Sequence, residues 1–157
     1  MVFYGVILEH ISRSYIDTIH LADVGRPFPH FEVEGDRLVF KGYITEEQGL
    51  SPSDELNRQC QAVWFGLVRE MSRLCQGRGI PLYVILIHKR GQPPGAMDFM
   101  ARGLDDLGIP YIDLGGMTAD AFYPMDQHPT KVWHDALARK LAGDPRIKAE
   151  LAAMARP

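Results

Sequence analysis

Two uninterrupted apolar runs constrain this chain more than any other feature: VFYGVIL at residues 2–8 and LYVILI at residues 82–87. Neither alternates polar with apolar residues, so each needs cover on both faces, as central strands of a parallel sheet do. A shorter run, YIDL at 111–114, predicts a third strand. Helical spacing fills the intervals. Leu56, Cys60, Val63, Leu67, Met71, Leu74 and Cys75 form one apolar stripe, the strongest helix signal in the chain. Ser51 or Ser53 is its cap, with Pro52 near the first turn, and Gly77 and Gly79 close it.

Further helices are predicted over 9–19, from Ile11, Tyr15, Ile16 and Ile19, and over 96–107. Another spans 130–142, with Val132, Trp133, Ala136, Leu137 and Leu141 inward, and a short terminal helix follows Asp144-Pro145. Gly79-Ile80-Pro81 and Gly108-Ile109-Pro110 precede the second and third strands alike, which predicts two helix-to-strand joints of one kind. Strands alternating with helices imply an α/β domain around a parallel sheet. The 157 residues suit a single domain. Residues 25–49 depart from the pattern. Pro27 and Pro29 are expected to break regular structure there, and Phe31, Val33, Leu38 and Phe40 flank a Glu34-Gly35-Asp36 turn, a small β-hairpin outside the main sheet.

The formal net charge of −3, without a basic run, argues against nucleic-acid binding through bulk electrostatics. Cys60 and Cys75 are too few for a disulfide scaffold and lie about four helical turns, or some 22 Å, apart. They read as free thiols packed on the helix's apolar face. No apolar run approaches the roughly 20 residues needed to span a bilayer. Residues 1–8 lack a basic start and a cleavage site, so they read as a strand and not a signal peptide, and the compartment stays open.

Ligands of open α/β sheets bind at the carboxyl ends of the strands. Ionisable residues collect there: Glu9-His10, His88-Lys89-Arg90, and the segment from Asp113 to His128. Glu9, His10 and His88 are candidate substrate-binding residues; the alternatives are a helix start for the first two and a solvated loop for the third. The sharpest local motif is FYPMDQHP, with Asp126 and His128 before a helix whose entry holds Pro129. Histidine titrates near neutral pH, and a carboxylate beside it holds the ring and stabilises its cation. The plain alternative is a capping aspartate beside a loop histidine. Asp126, His128 and His134 also have zinc-ligand chemistry, but no fourth ligand is indicated, so no metal site is expected.

The stretch DQHPTKVWHDALARKLA resembles the last block of SGNH/GDSL hydrolases, where an Asp and a His precede a terminal amphipathic helix. Its D-x-H spacing is similar to that of alginate O-acetyltransferase-like members. The order strand, long helix, strand, helix, strand, Asp/His loop, helix also resembles the second half of their three-layer, flavodoxin-like α/β/α fold. The resemblance implies His128 as the general base and Asp126 as its orienter in a serine esterase, lipase-like enzyme or acyltransferase. A small ester or acylated carbohydrate would be the substrate, and no cofactor is implied. The chain departs from the family in lacking a G-D-S motif and the Asn of the G-x-N-D block. Ser12, Ser14, Ser51, Ser53 and Ser72 all stand in other contexts. Two expectations compete: a carboxyl-terminal part of a larger SGNH domain, inactive by itself, or a binding or assembly domain that keeps the fold without the serine. A homodimer through an exposed sheet edge is a further expectation.

Overall fold

A computed structural model describes residues 1–12, 27–44, 53–89, 92–115 and 129–155. In chain order the elements are β1 (Val2–Val6), α1 (Glu9–Ser12), β2 (Phe28–Glu34), β3 (Arg37–Ile44), α2 (Asp54–Gln76) and β4 (Leu82–Leu86). Then come α3 (Asp98–Asp106), β5 (Tyr111–Asp113), α4 (Lys131–Gly143) and α5 (Pro145–Met154). Strands β1, β4 and β5 form a parallel sheet in that order, and β2 and β3 form a separate antiparallel hairpin.

All five residues of β4 are buried, as its unbroken apolar run requires of a central strand. Its side chains alternate. Leu82, Val84 and Leu86 join Val6 in one cluster with Leu56, Cys60, Trp64 and Val68 of α2 and with Met100 and Leu104 of α3. Tyr83 and Ile85 join Ile112 in a second cluster with Trp133 of α4 and Ile147 of α5. Helices therefore cover both faces of the sheet. The crossovers from β1 to β4 and from β4 to β5 step the same way across the sheet and place α2 and α3 on the same face, as one common crossover hand requires. Each fully buried Leu, Met or Val contributes about 1.5–3 kcal/mol relative to exposure.

Ser53, not Ser51, provides the cap of α2: its Oγ accepts a hydrogen bond from the Leu56 amide at 3.0 Å. Asp54 and Glu55 follow in the first turn, where carboxylates favour the helix dipole. The buried row of α2 runs through Leu56, Cys60, Trp64, Val68 and Ser72 at four-residue steps. Leu74 falls off this row and is exposed, against the sequence expectation, because α2's sheet face follows the i+4 ridge. Val132 is likewise exposed, not inward. Adjacent helical residues diverge by about 100°, and Trp133 takes the inward position. The two Gly-Ile-Pro joints are alike in detail. Gly79 and Gly108 both have φ of 63°, and the amides of Ile80 and Ile109 reach back to the carbonyls of Cys75 and Leu104, each at 2.9 Å. This is the Schellman closure, whose left-handed position suits glycine.

The hairpin turns at Gly35-Asp36, with Gly35 at φ 59°. Pro29 does not break it: it sits in β2 opposite Tyr43, in a two-stranded ribbon whose edges tolerate a missing N–H. The hairpin packs on α2 where Gly66 leaves room; a Cβ there would lie 3.1 Å from Leu38 Cδ1 and 3.4 Å from Val33 Cγ2. Of the helix expected over 9–19, Glu9–Ser12 is observed and residues 13–19 lie outside the described residues.

Candidate functional site

The parallel register aligns three carboxyl ends in one row: Val6 of β1 faces Leu86 of β4, which faces Asp113 of β5. The row continues beyond the strands, where the Ile87 amide donates to the Val6 carbonyl at 2.9 Å and the Leu114 amide to the Leu86 carbonyl at 3.1 Å. His88 leaves this ladder from the middle of the sheet. Its Nε2 lies 2.7 Å from Oδ1 of Asp113. The imidazole is 22% exposed and the carboxylate 47%, so both side chains reach solvent. The separation is that of an ion pair, yet the ring N–H does not point along it, and the enclosed Nε2 has no well-aligned hydrogen bond.

Asp113 is itself oriented. The Gly115 amide donates to the same Oδ1 at 2.7 Å, and Lys140 Nζ of α4 donates to the Asp113 main-chain carbonyl. Gly115 also leaves space: a Cβ there would lie 3.2 Å from Asp113 Oδ1 and 3.4 Å from His88 Cε1. Nearby, Arg146 of α5 donates to the Tyr111 carbonyl at 3.1 Å and lies 5.8 Å from the centre of the Tyr83 ring. These contacts tie the second helix layer to β5. Burial pushes the Tyr111 and Tyr83 hydroxyls above their ordinary pKa, and neighbouring carboxylates add to the shift.

The residues expected from sequence fare unequally. His88 stands at the carboxyl edge as anticipated, and the structure adds Asp113 as its partner. His10 belongs to α1, which begins three residues after β1 at the same edge, and is partly buried. Glu9 opens that helix, and its side chain lies outside the described residues. So do Asp126 and His128 entirely. They precede Pro129 and α4, whose Trp133 holds the second layer. His134 is exposed and lies edge-on to Trp133 at 5.2 Å. Among the described residues no group of His, Cys, Asp and Glu side chains has metal-site geometry. Among those residues, too, no helix is long and apolar enough to cross a membrane.

A groove of about 290 Å³ lies elsewhere, between the hairpin and α2, lined by Glu32, Val33, Gln59, Ala62 and Val63. Its carboxylate is already engaged: Glu32 lies 3.6 Å from both Lys41 and His30. The strand ends, where the fold class puts ligands, hold the better acid–base chemistry. Of the five serines, Ser53 is committed to the α2 cap and Ser72 is buried, with its Oγ accepting from Gln76. No protein-family model, curated protein or solved structure matches the chain.

Proposed function

We propose that this chain forms the carboxyl-terminal part of an SGNH-type esterase or O-acyltransferase, acting on a small ester or an acylated carbohydrate. In this reading His128 is the base that activates a serine, and Asp126 orients it. The observation that carries the reading is the topology. Strands β1, β4 and β5 stand in sequential order, α2 and α3 cover one face, and the helices after β5 cover the other. A flavodoxin-like sheet of order 2-1-3-4-5 has this arrangement in its last three strands. The edge of β1, with Val2 and Phe3 exposed, is where the remaining strands would pair, or a second copy would in a homodimer.

A second reading is a binding or assembly domain that keeps the fold without the nucleophile. It needs no nucleophile, in keeping with the structural engagement of Ser53 in the α2 cap and of Ser72 with Gln76.

A fluorophosphonate probe applied to an extract of the native cells separates the two. The expected result is recovery of this chain's tryptic peptides on a polypeptide whose labelled serine lies outside these 157 residues, with labelling abolished by His128→Ala. An expressed but unlabelled protein would exclude the serine acyl-enzyme and leave the binding domain.

A further inference from the structure

We propose that His88 and Asp113 form a general-base dyad of their own, acting on the hydroxyl of water or an alcohol that attacks an ester carbonyl. The proposal does not depend on the serine of the preceding reading or on Asp126 and His128. It rests on four observations. The pair stands on the carboxyl ends of two adjacent parallel strands, where ligands of α/β sheets bind. His88 Nε2 is 2.7 Å from Oδ1 of the Asp113 carboxylate, so the two side chains are in direct contact. The carboxylate is held in place by the Gly115 amide at 2.7 Å, and the strand end that bears it by Lys140. Finally, Gly115 has no side chain to crowd either partner.

The enclosed nitrogen is Nε2, the one that faces Asp113. Nδ1 is therefore the ring atom that takes the proton. As the hydroxyl oxygen forms its bond to the carbonyl carbon, its proton passes to Nδ1. The tetrahedral adduct then collapses, the bond to the leaving alkoxide oxygen breaks, and that oxygen takes the proton back from His88. Nothing is oxidised or reduced, and the dyad is regenerated. Asp113 touches neither reacting atom: it is a positioning residue that stabilises the transient imidazolium.

The test uses the 157-residue chain and p-nitrophenyl acetate. The wild type is expected to hydrolyse it above buffer, more slowly in heavy water, with no acylated protein detected by mass spectrometry. His88→Gln should lose about 10-fold or more of the rate, while His134→Gln, altered on an exposed helix face, keeps it. Asp113→Asn should lower kcat with KM retained. It should also shift the His88 side-chain nitrogen resonances, leaving those of His134 in place. The proposal is overturned by a wild type no faster than buffer, by a His88→Gln rate equal to wild type, or by a stable acyl-His88 adduct. Hydrolysis by this chain alone would replace the expectation that it is inactive by itself, while fluorophosphonate labelling decides the serine reading separately.

Discussion

The ring of Phe65 on α2 occupies the space that Gly103 leaves open on α3: a Cβ at Gly103 would overlap Cζ and Cε1 of that ring and lie 3.1 Å from Cε2. The ring is not free to drift, because it meets buried Trp64 edge-on at 4.8 Å. Gly103 thus sets how closely the two helices of the first layer approach.

Gly103→Ala pits two effects against each other. Alanine gains about 1 kcal/mol of helix propensity over glycine. Overpacking costs about 1–3 kcal/mol. The clash involves ring atoms wedged against Trp64, so the second effect wins and a net loss of about 1 kcal/mol is expected by urea denaturation. Phe65→Leu in the same chain should remove the penalty, and a double-mutant cycle reads that coupling directly.

Asp144 caps α5 and pairs with Arg146 at 2.7 Å. The Arg146 guanidinium, helped by the amides of Arg146 and Ile147, holds its carboxyl down to about 2. The same group in the unfolded chain titrates near 4, about its unperturbed value. A carboxyl depressed by folding contributes stability that is present above the unfolded value and lost as pH falls through the folded one. Asp144→Asn keeps an oxygen for the cap but removes the charge. Its stability should therefore change less than the wild type's between pH 5 and pH 2, followed by denaturant midpoints.

Ser53→Ala removes the α2 cap and is expected to cost about 1 kcal/mol, whereas Ser53→Asp restores most of it. Equal stability of Ser53→Ala and wild type in a thermal melt would contradict the cap.

Trp133 and Val132 are neighbours with opposite roles. Trp133→Ala should destabilise by about 3–5 kcal/mol, since it empties the centre of the second cluster. Val132→Lys should stay within about 0.5 kcal/mol, because that side chain already meets solvent. Paired melting curves test both.

Much of the fold is legible in the sequence because its strands are apolar runs and its helix ends carry glycine. β4 and the two Gly-Ile-Pro joints illustrate this. The facing of single helical residues is less legible: Leu74 and Val132 satisfy an apolar stripe on paper, but Leu74 falls off the i+4 row that faces the sheet and Trp133, not its neighbour Val132, takes the inward position. Pro29 reads as a breaker because its strand is not known in advance to be an edge. At the candidate site, His88 is visible as a strand-end residue, but its partner is not. Asp113 reaches it only through the register of β4 with β5, a long-range pairing that no local pattern encodes. The Asp126–His128 motif is purely local, so it can be read from sequence, though its residues lie outside those described.

The close seat of the hairpin at Gly66 has a consequence for how the molecule breathes. Helix α2 is clad twice, by the sheet on one flank and by Val33 and Leu38 on another, while α5 buries only Ile147 fully. Amide protons exchange with solvent through local opening, whose cost follows the packing that must be undone. The middle of α2 should therefore hold its hydrogens longest, and α5 should surrender them first.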